Sequence, residues 1–208
     1  MSRLFILVLS FLIVSMPVGA KTVGNKKADS YFKKRKKSSS SKSRVTASAG
    51  GAAHYLALHL GGYLDDESYS WGNENKDGVG KMSLGLTYRL GEWVNSSDML
   101  IRVDINSFGL PEGNTTKMSF IPMVTFPDAN SGFPLYFGAG VGLGVFFKQI
   151  ESESALSLDY QLVAGARFFN VLDSIGLFME TGLKNHIHLL SDGQFNGVFV
   201  SAGTVFAF

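Results

Sequence analysis

Five residues carry side chains that could support chemistry: His59, Glu180, His186, His188 and Ser191. A serine, a histidine and an acid can act together in hydrolysis as nucleophile, general base and orienting group. Ser191, however, follows the two nearest histidines by five and three residues, in a segment typical of a loop. The three histidines could instead bind a metal, but two histidines on one strand face are common. The sequence shows no phosphate loop, nucleotide fingerprint or zinc spacing, so we expect no catalytic residue, metal or cofactor.

The elements that must position these residues are strands, because apolar and polar side chains alternate along eight segments of about ten residues. In the clearest segment Leu156, Leu158 and Leu162 share one face, and Asp159 and Arg167 share the other. The segments are 54–64, 81–90, 99–106, 117–126, 135–148, 156–169, 175–188 and a final strand ending at Phe208. Pro122 interrupts the segment 117–126, so we expect it at a bulge or a locally open position. Their even number predicts an all-β fold, an eight-stranded antiparallel transmembrane up-and-down barrel.

The polar faces of these strands should line the inside of the barrel. Charges buried there must pair, so we expect a network of bases and acids in the lumen. A row of inward glycines at 138, 140, 142 and 144 leaves two alternatives open: a narrow solute path, or a groove that receives Arg and Tyr from opposite strands. The predicted lumen residues, besides His59, are Lys81, Arg89, Arg102, Asp104, Asp159, Arg167, Glu180, Lys184, His186 and His188.

A soluble sandwich or a lipocalin-like barrel is the alternative architecture. The first would turn its charged face to water, and the second would enclose its apolar face around a ligand. Long unbroken apolar faces and a gathering of aromatic residues at one end favour a membrane barrel with an aromatic girdle. The predicted girdle residues are Tyr88, Trp93, Phe126, Phe133, Tyr136, Phe137, Phe168, Phe206 and Phe208.

The first 53 residues differ in character from the rest. Residues 1–20 have the three-part pattern of a secretory signal peptide, with cleavage expected after Ala20. Residues 21–53 carry ten Lys and Arg against the single acid Asp29, a net charge of +9, and predict a disordered basic periplasmic linker. Its densest run comprises Lys33, Lys34, Arg35, Lys36 and Lys37. Residues 54–208, the predicted barrel, carry eight bases against sixteen acids, a net charge of −8.

The leader ending at Ala20, the strand alternation and the closing segment 200–208 resemble the superfamily of small eight-stranded bacterial outer-membrane barrels. The resemblance implies an outer-membrane location and recognition of Phe206 and Phe208 by the barrel-assembly machinery as an insertion signal. The superfamily includes structural anchors, adhesion proteins, small-solute channels and lipid A-modifying enzymes, so it does not choose among activities. In its deacylases, histidine and serine lie two residues apart on one strand face, which His186, His188 and Ser191 do not match.

Connection lengths predict the orientation and the partners. The longest connection, residues 65–79, should be an external loop. It contributes to an acidic external rim, whose predicted residues are Asp65, Asp66, Glu67, Glu74, Asp77, Glu112, Glu151, Glu153 and Asp192. We expect a monomeric, non-catalytic protein with a structural or envelope-interaction role, in contact with outer-membrane lipid and lipopolysaccharide. A narrow channel or a lipid A-modifying enzyme is the alternative. The basic tail could contact peptidoglycan, and nucleic acid is excluded by compartment.

Overall fold

The computed structural model describes residues 54–71, 74–110, 113–148, 150, 152–172 and 174–208. The predicted signal peptide (1–20) and basic linker (21–53) lie outside these residues. Glu112 and Glu151 of the predicted acidic rim also lie outside them. No helix within the described ranges is long and apolar enough to cross a membrane.

The described residues form a closed antiparallel barrel. Eight strands make the ring in the order β1-β3-β4-β5-β6-β7-β8-β9, and β9 pairs back onto β1 through 14 residue pairs from Tyr55–Ala207 to Tyr69–Gln194. The short strand β2 pairs with the far end of β1. The strands are β1 (Tyr55–Trp71), β2 (Glu74–Asp77), β3 (Gly80–Glu92), β4 (Asp98–Leu110), β5 (Gly113–Phe126), β6 (Leu135–Phe146), β7 (Leu156–Leu172), β8 (Ile175–His188) and β9 (Gln194–Ala207).

The barrel separates polar from apolar side chains in the sense opposite to a water-soluble protein. Outward side chains such as Leu60, Phe120 and Val141 are more than half exposed, whereas inward charges such as Arg102 and Asp104 are at most 1% exposed. Closure leaves no sheet edge along the barrel strands, so their backbone groups pair within the ring except at the gap beside Pro122. An apolar outer surface of this kind belongs in lipid.

Pro122 occupies a gap in the β5–β6 ladder. Residue pairing runs from Lys117–Phe146 to Phe120–Leu143, skips two positions, and resumes at Met123–Gly140 in the same register. Proline cannot donate a ladder hydrogen bond, and the gap gives it the locally open position predicted from the sequence.

The predicted external loop 65–79 is instead mostly strand. β1 continues to Trp71, and along this extension it pairs with β9 as far as Tyr69 and with β2 from Glu67 to Trp71, so β1 and β2 form a hairpin. This correction has a physical reason, since the backbone of a polar stretch can be satisfied by cross-strand hydrogen bonds to β9 and β2 whatever its side chains are. Asp66, predicted on the external rim, is buried in this hairpin and accepts a hydrogen bond from the backbone nitrogen of Gly80.

We call the rim at which the barrel begins and ends the terminal rim, and the opposite one the distal rim. Eight of the nine predicted girdle residues are partly or well exposed, and His54, Tyr88 and Phe208 stack together at the terminal rim. Tyr136 is the exception. It is buried inside the barrel, where its hydroxyl donates to Glu180 at 2.7 Å, because position 136 falls on the inward face of β6.

Candidate functional site in the barrel lumen

Nine of the ten predicted lumen residues are buried inside the barrel, none more than 3% exposed. Lys81 is the exception, and its prediction as a lumen residue was wrong. The register of β3 against β4 shifts between Gly80 and Ser83, so Lys81 and Met82 together oppose a single residue of β4. This β-bulge inserts one extra residue and turns Lys81 outward, where it is exposed and donates to the carbonyl of Gly78.

The lumen charges form layers, and the first lies at the terminal rim. Asp98 accepts from Arg89 (Nε–Oδ1 2.7 Å) and from Arg167 (Nη2–Oδ2 3.2 Å). The same carboxylate accepts from the backbone nitrogen of Ala129 at 2.8 Å. Ala129 begins a 3₁₀ turn in the β5–β6 connection and is itself buried. Asp98 therefore ties this connection to the bases at the terminal end of the lumen.

The second layer joins opposite walls of the barrel. Arg102 forms a two-pronged ion pair with Glu180, with Nη1–Oε1 2.7 Å and Nη2–Oε2 2.8 Å. Its Nε donates to Thr87 at 2.9 Å, and Nη1 also donates to Gln161 at 3.2 Å. Tyr136 supplies a further donor to Glu180. Paired geometry with additional hydrogen bonds is what a buried guanidinium and carboxylate require.

The third layer is centred on Asp104. Its Oδ2 accepts from Lys184 at 2.9 Å and from Gln161 at 2.7 Å, and its Oδ1 lies 3.8 Å from Nε2 of His59. Lys184 also donates to Ser83 at 2.7 Å, and its ammonium lies 4.5 Å from the centre of the Phe199 ring. Gln161 links this layer to Arg102, so the two layers are one network.

A fourth layer lies nearer the distal rim and is centred on Asp159. Its Oδ2 accepts from Lys117 at 2.8 Å and from the hydroxyl of Ser119, and its Oδ1 accepts from Ser157 at 2.6 Å. Lys117 also donates to Nδ1 of His186 at 3.0 Å. All five side chains are buried, so the carboxylate is neutralised by one base and two hydroxyl donors.

Aromatic rings close the distal end above this layer. Phe195 stacks on His186 with ring centres 5.1 Å apart, and Phe146 stacks on His188 at 5.0 Å. Phe108 meets Phe195 edge-on at 5.2 Å. These rings occupy the cross-section of the lumen, so the polar layers below them are shielded from the distal side.

The predicted serine, histidine and acid do not assemble as a hydrolytic site. Glu180 lies in the second layer with Arg102, and the acid near Ser191 is Glu153, a buried residue that was predicted on the exposed rim. Ser191 donates to Glu153, whereas Nδ1 of His188 donates to the carbonyl of Ser154 at 2.7 Å. The partner of the serine hydroxyl is thus an acid and not an imidazole. The same acid lies 3.9 Å from Nδ1 of His188, so the three side chains form one cluster that joins two loops.

The predicted glycine groove is occupied by its neighbours. A Cβ added at Gly144 would lie 2.6 Å from Oγ of Ser157 and 2.7 Å from the carboxylate of Asp159. At Gly142 the backbone of Phe120 approaches so closely that a side chain has no room. Side chains and backbone of adjacent strands therefore fill the groove, and not Arg and Tyr from opposite strands.

The sequence did not single out three central members of the network: Asp98, Lys117 and Gln161. Gln161 shares its strand face with Asp159, so the alternation placed it inward, but an uncharged amide was not recognised as a bridge. Lys117 begins the segment that Pro122 interrupts, where the alternation was weakest. Asp98 lies one residue before the predicted strand 99–106, so the alternation assigned it to neither the inward nor the outward face.

Within the described residues, no group of three histidine, cysteine or acidic side chains could hold a metal ion. The contacts of the lumen are ion pairs and hydrogen bonds among protein groups. What this arrangement does chemically is neutralise charge and hold opposite walls together.

Three solved structures show similarity to the chain over nearly their whole length. They are Neisserial surface protein A (12% identity, 76% of this chain and 98% of that one, TM-score 0.48), the outer membrane enzyme PagL (14%, 74% and 99%, TM-score 0.48) and the attachment invasion locus protein Ail of Yersinia pestis (17%, 73% and 98%, TM-score 0.38). No family model matches the chain, and no curated protein matches it. Identities this low transfer no activity from one protein to another.

The closed eight-stranded ring, its apolar outside and its charged inside confirm the eight-stranded antiparallel barrel that the sequence predicted. A barrel with this partition of side chains is suited to a membrane, where its apolar outside would face lipid. The activity of the protein is considered next, from the contacts inside the lumen.

Proposed function

We propose that this chain is a non-conducting, non-catalytic barrel with a structural or envelope-interaction role in the outer membrane. One observation carries the proposal: the paired charges of the four lumen layers, and the aromatic rings above them, are buried. Arg102, Asp104, Phe108 and Phe195 are each no more than 1% exposed. A conducting pore would leave such inward side chains in contact with water.

The absence of a hydrolytic arrangement supports the non-catalytic part of the proposal. Ser191 is hydrogen-bonded to Glu153, and His188 to a backbone carbonyl, so within the described residues this cluster offers no histidine-activated hydroxyl. Its contacts join the β6–β7 connection to the β8–β9 connection and so stiffen the distal rim.

A narrow channel is the second candidate, and the glycine row on β6 is the observation that favours it. Glycines along one strand can leave a path beside the opposite wall. Here Thr125, Met123 and Ser157 approach the positions that side chains at Gly138, Gly140 and Gly144 would take. The structural role is therefore the better-supported reading.

The terminal rim should face the periplasm and the distal hairpin the outside. The exposed acids Asp65, Glu67 and Asp77 lie on that hairpin, and the basic segment with Lys33–Lys37 precedes the first barrel strand in the sequence. In the periplasm a segment of net charge +9 would be attracted to the carboxylates of peptidoglycan. Cross-linking to cell-wall fragments, with and without residues 31–44, tests this contact, and equal recovery of both forms would contradict it.

The assembly machinery is the other proposed partner. Phe206 and Phe208 share the outward face of the last strand, where they can be recognised before the barrel closes. We expect Phe206→Ala to slow assembly in cells more than Val200→Ala, an outward change on the same strand, does.

The membrane placement has a direct test. The protein should fractionate with the outer membrane and migrate faster on a gel before boiling than after it, as a folded barrel does. Recovery in the soluble periplasm, without a heat-dependent shift, would contradict the placement.

A further inference from the structure

The barrel seam between β1 and β9 ends in a residue pair that lies just outside both strands. The backbone nitrogen of His54 donates to the backbone oxygen of Phe208 at 3.3 Å, and the backbone nitrogen of Phe208 donates to the backbone oxygen of His54 at 3.1 Å. The pair continues the β1–β9 ladder by one position past Tyr55–Ala207. The backbone nitrogen and oxygen of Phe208 are therefore both bonded to His54.

The imidazole ring of His54 is held in place by a third strand, β3. Its Nδ1 lies 3.3 Å from the carbonyl oxygen of Arg89, which can only accept, so Nδ1 carries the hydrogen and donates. The imidazole is also nearly parallel to the ring of Tyr88, at 3° with the ring centres 6.3 Å apart. The ring of Phe208 lies 6.4 Å from each of these two rings, at 24° and 25°. We call His54, Tyr88 and Phe208 the closure cluster.

Two members of the closure cluster can come together without β9. His54 and Tyr88 belong to neighbouring strands near the start of the barrel, which pair from Leu56–Tyr88 to Gly62–Met82. The β1–β9 seam instead joins the two ends of the barrel sequence. Contacts between distant segments form later than local ones, because the entropy of closing the intervening chain must first be offset. His54 and Tyr88 therefore form a platform on which Phe208 docks when the ring closes.

Before closure, β9 is an edge strand, since its second neighbour in the ring is β1. The backbone groups along such an edge are open to pairing with a strand of another protein. A partner strand that held the end of β9 in this way would bond the backbone nitrogen and oxygen of Phe208. His54 bonds the same two atoms in the closed barrel. Binding of Phe208 by His54 and by a partner strand is therefore mutually exclusive.

We propose that His54 ends the recognition of Phe208 by the assembly machinery, because it takes over the backbone groups of Phe208 and packs beside its ring as the barrel closes. The imidazole adds side-chain contacts with Tyr88 and Phe208 at the end of the seam, where a ladder frays most easily. His54 is thus a positioning residue for closure and takes no part in recognition. The inference rests on the proposed recognition of Phe208 by that machinery.

Pulse-chase photo-crosslinking in cells tests the proposal. The full-length chain carries a photoreactive residue at position 200, on the outward face of β9, and its cross-link to the assembly machinery is followed during the chase. His54→Ala should give the wild-type yield of cross-link at the start, but the cross-linked form should persist about threefold longer, because a ring contact with Phe208 is lost. His54→Phe keeps a ring and should be released at close to the wild-type rate. Leu58→Ala, an outward change on β1 that pairs with Thr204, is the matched control and should behave as the wild type.

Three results would overturn the proposal. Release of His54→Ala at the wild-type rate would show that its side chain does not promote closure. Equal slowing by His54→Ala and Leu58→Ala would assign the effect to a general weakening of β1. Release of His54→Phe as slow as that of His54→Ala would exclude the ring contact as the cause. Failure of the proposed recognition is separable, because it would appear in Phe208→Ala as an unchanged yield of cross-link at the start of the chase.

Discussion

Arg102 on β4 and Glu180 on β8 face each other across the full width of the lumen and form a two-pronged ion pair of 2.7 and 2.8 Å. The two strands are four positions apart in a ring of eight, so this pair joins opposite walls. Both side chains are at most 1% exposed. Loss of either partner would leave a charge in the interior without its counter-ion.

Arg102→Met should therefore destabilise the barrel by about 3–5 kcal/mol. The double variant Arg102→Met, Glu180→Leu should recover part of this loss, because it removes both charges together. Denaturant unfolding of the refolded protein, followed by tryptophan fluorescence, measures both. A double variant no more stable than Arg102→Met would show that the pair does not act as a unit.

The β-bulge in β3 predicts a contrast between two lysines. Lys81→Met should change the unfolding free energy by less than about 0.5 kcal/mol, because Lys81 is exposed. Lys184→Met should cost about 3–5 kcal/mol, since it leaves Asp104 without its base. Similar losses in the two variants, in the same unfolding assay, would mean that Lys81 faces the lumen after all.

Gly144→Ala should destabilise the barrel by about 1–3 kcal/mol, because the new methyl group meets Ser157 and Asp159. Ala139→Val is the matched control, since it enlarges an exposed outward side chain on the same strand. The heat-dependent gel shift should occur at a lower temperature for Gly144→Ala than for the wild type, and at an unchanged temperature for Ala139→Val. A tolerated Gly144→Ala would indicate an open groove.

Overexpression of the wild type should leave the mass spectrum of lipid A unchanged, as should Ser191→Ala. The physical reason is that the Ser191 hydroxyl donates to Glu153 and is not activated by an imidazole. A decrease in the mass of lipid A that occurs with the wild type and not with Ser191→Ala would establish a hydrolytic activity. Ser191→Ala should still increase protease cleavage in the β6–β7 and β8–β9 connections, because it removes the bond between them.

The strand pattern predicted most of the fold because its period of two is a geometric property of the backbone. It failed where an extra residue enters a strand. The bulge at Lys81 reverses which face the next residue occupies, and composition gives no sign of it. Another register shift in β1, between Tyr63 and Asp65, places Asp66 inside, although a run of acids predicts exposure.

The pairing of lumen residues was beyond prediction for a different reason. Alternation predicts which side chains point inward. The partner of each side chain across the barrel depends on the order of the strands and on the stagger between neighbouring strands. From the sequence alone, Arg102 could have paired with either Asp159 or Glu180. The polar bridges, such as Gln161 between Arg102 and Asp104, become visible when the opposite walls are brought together.

The central claim is that the charge network and aromatic rings close the lumen, and planar-bilayer recording tests it most directly. Protein whose folding is verified by the heat-dependent gel shift should give no discrete conductance steps across the physiological voltage range. Reproducible single-channel steps from the folded wild-type protein would contradict the account and establish the barrel as a channel.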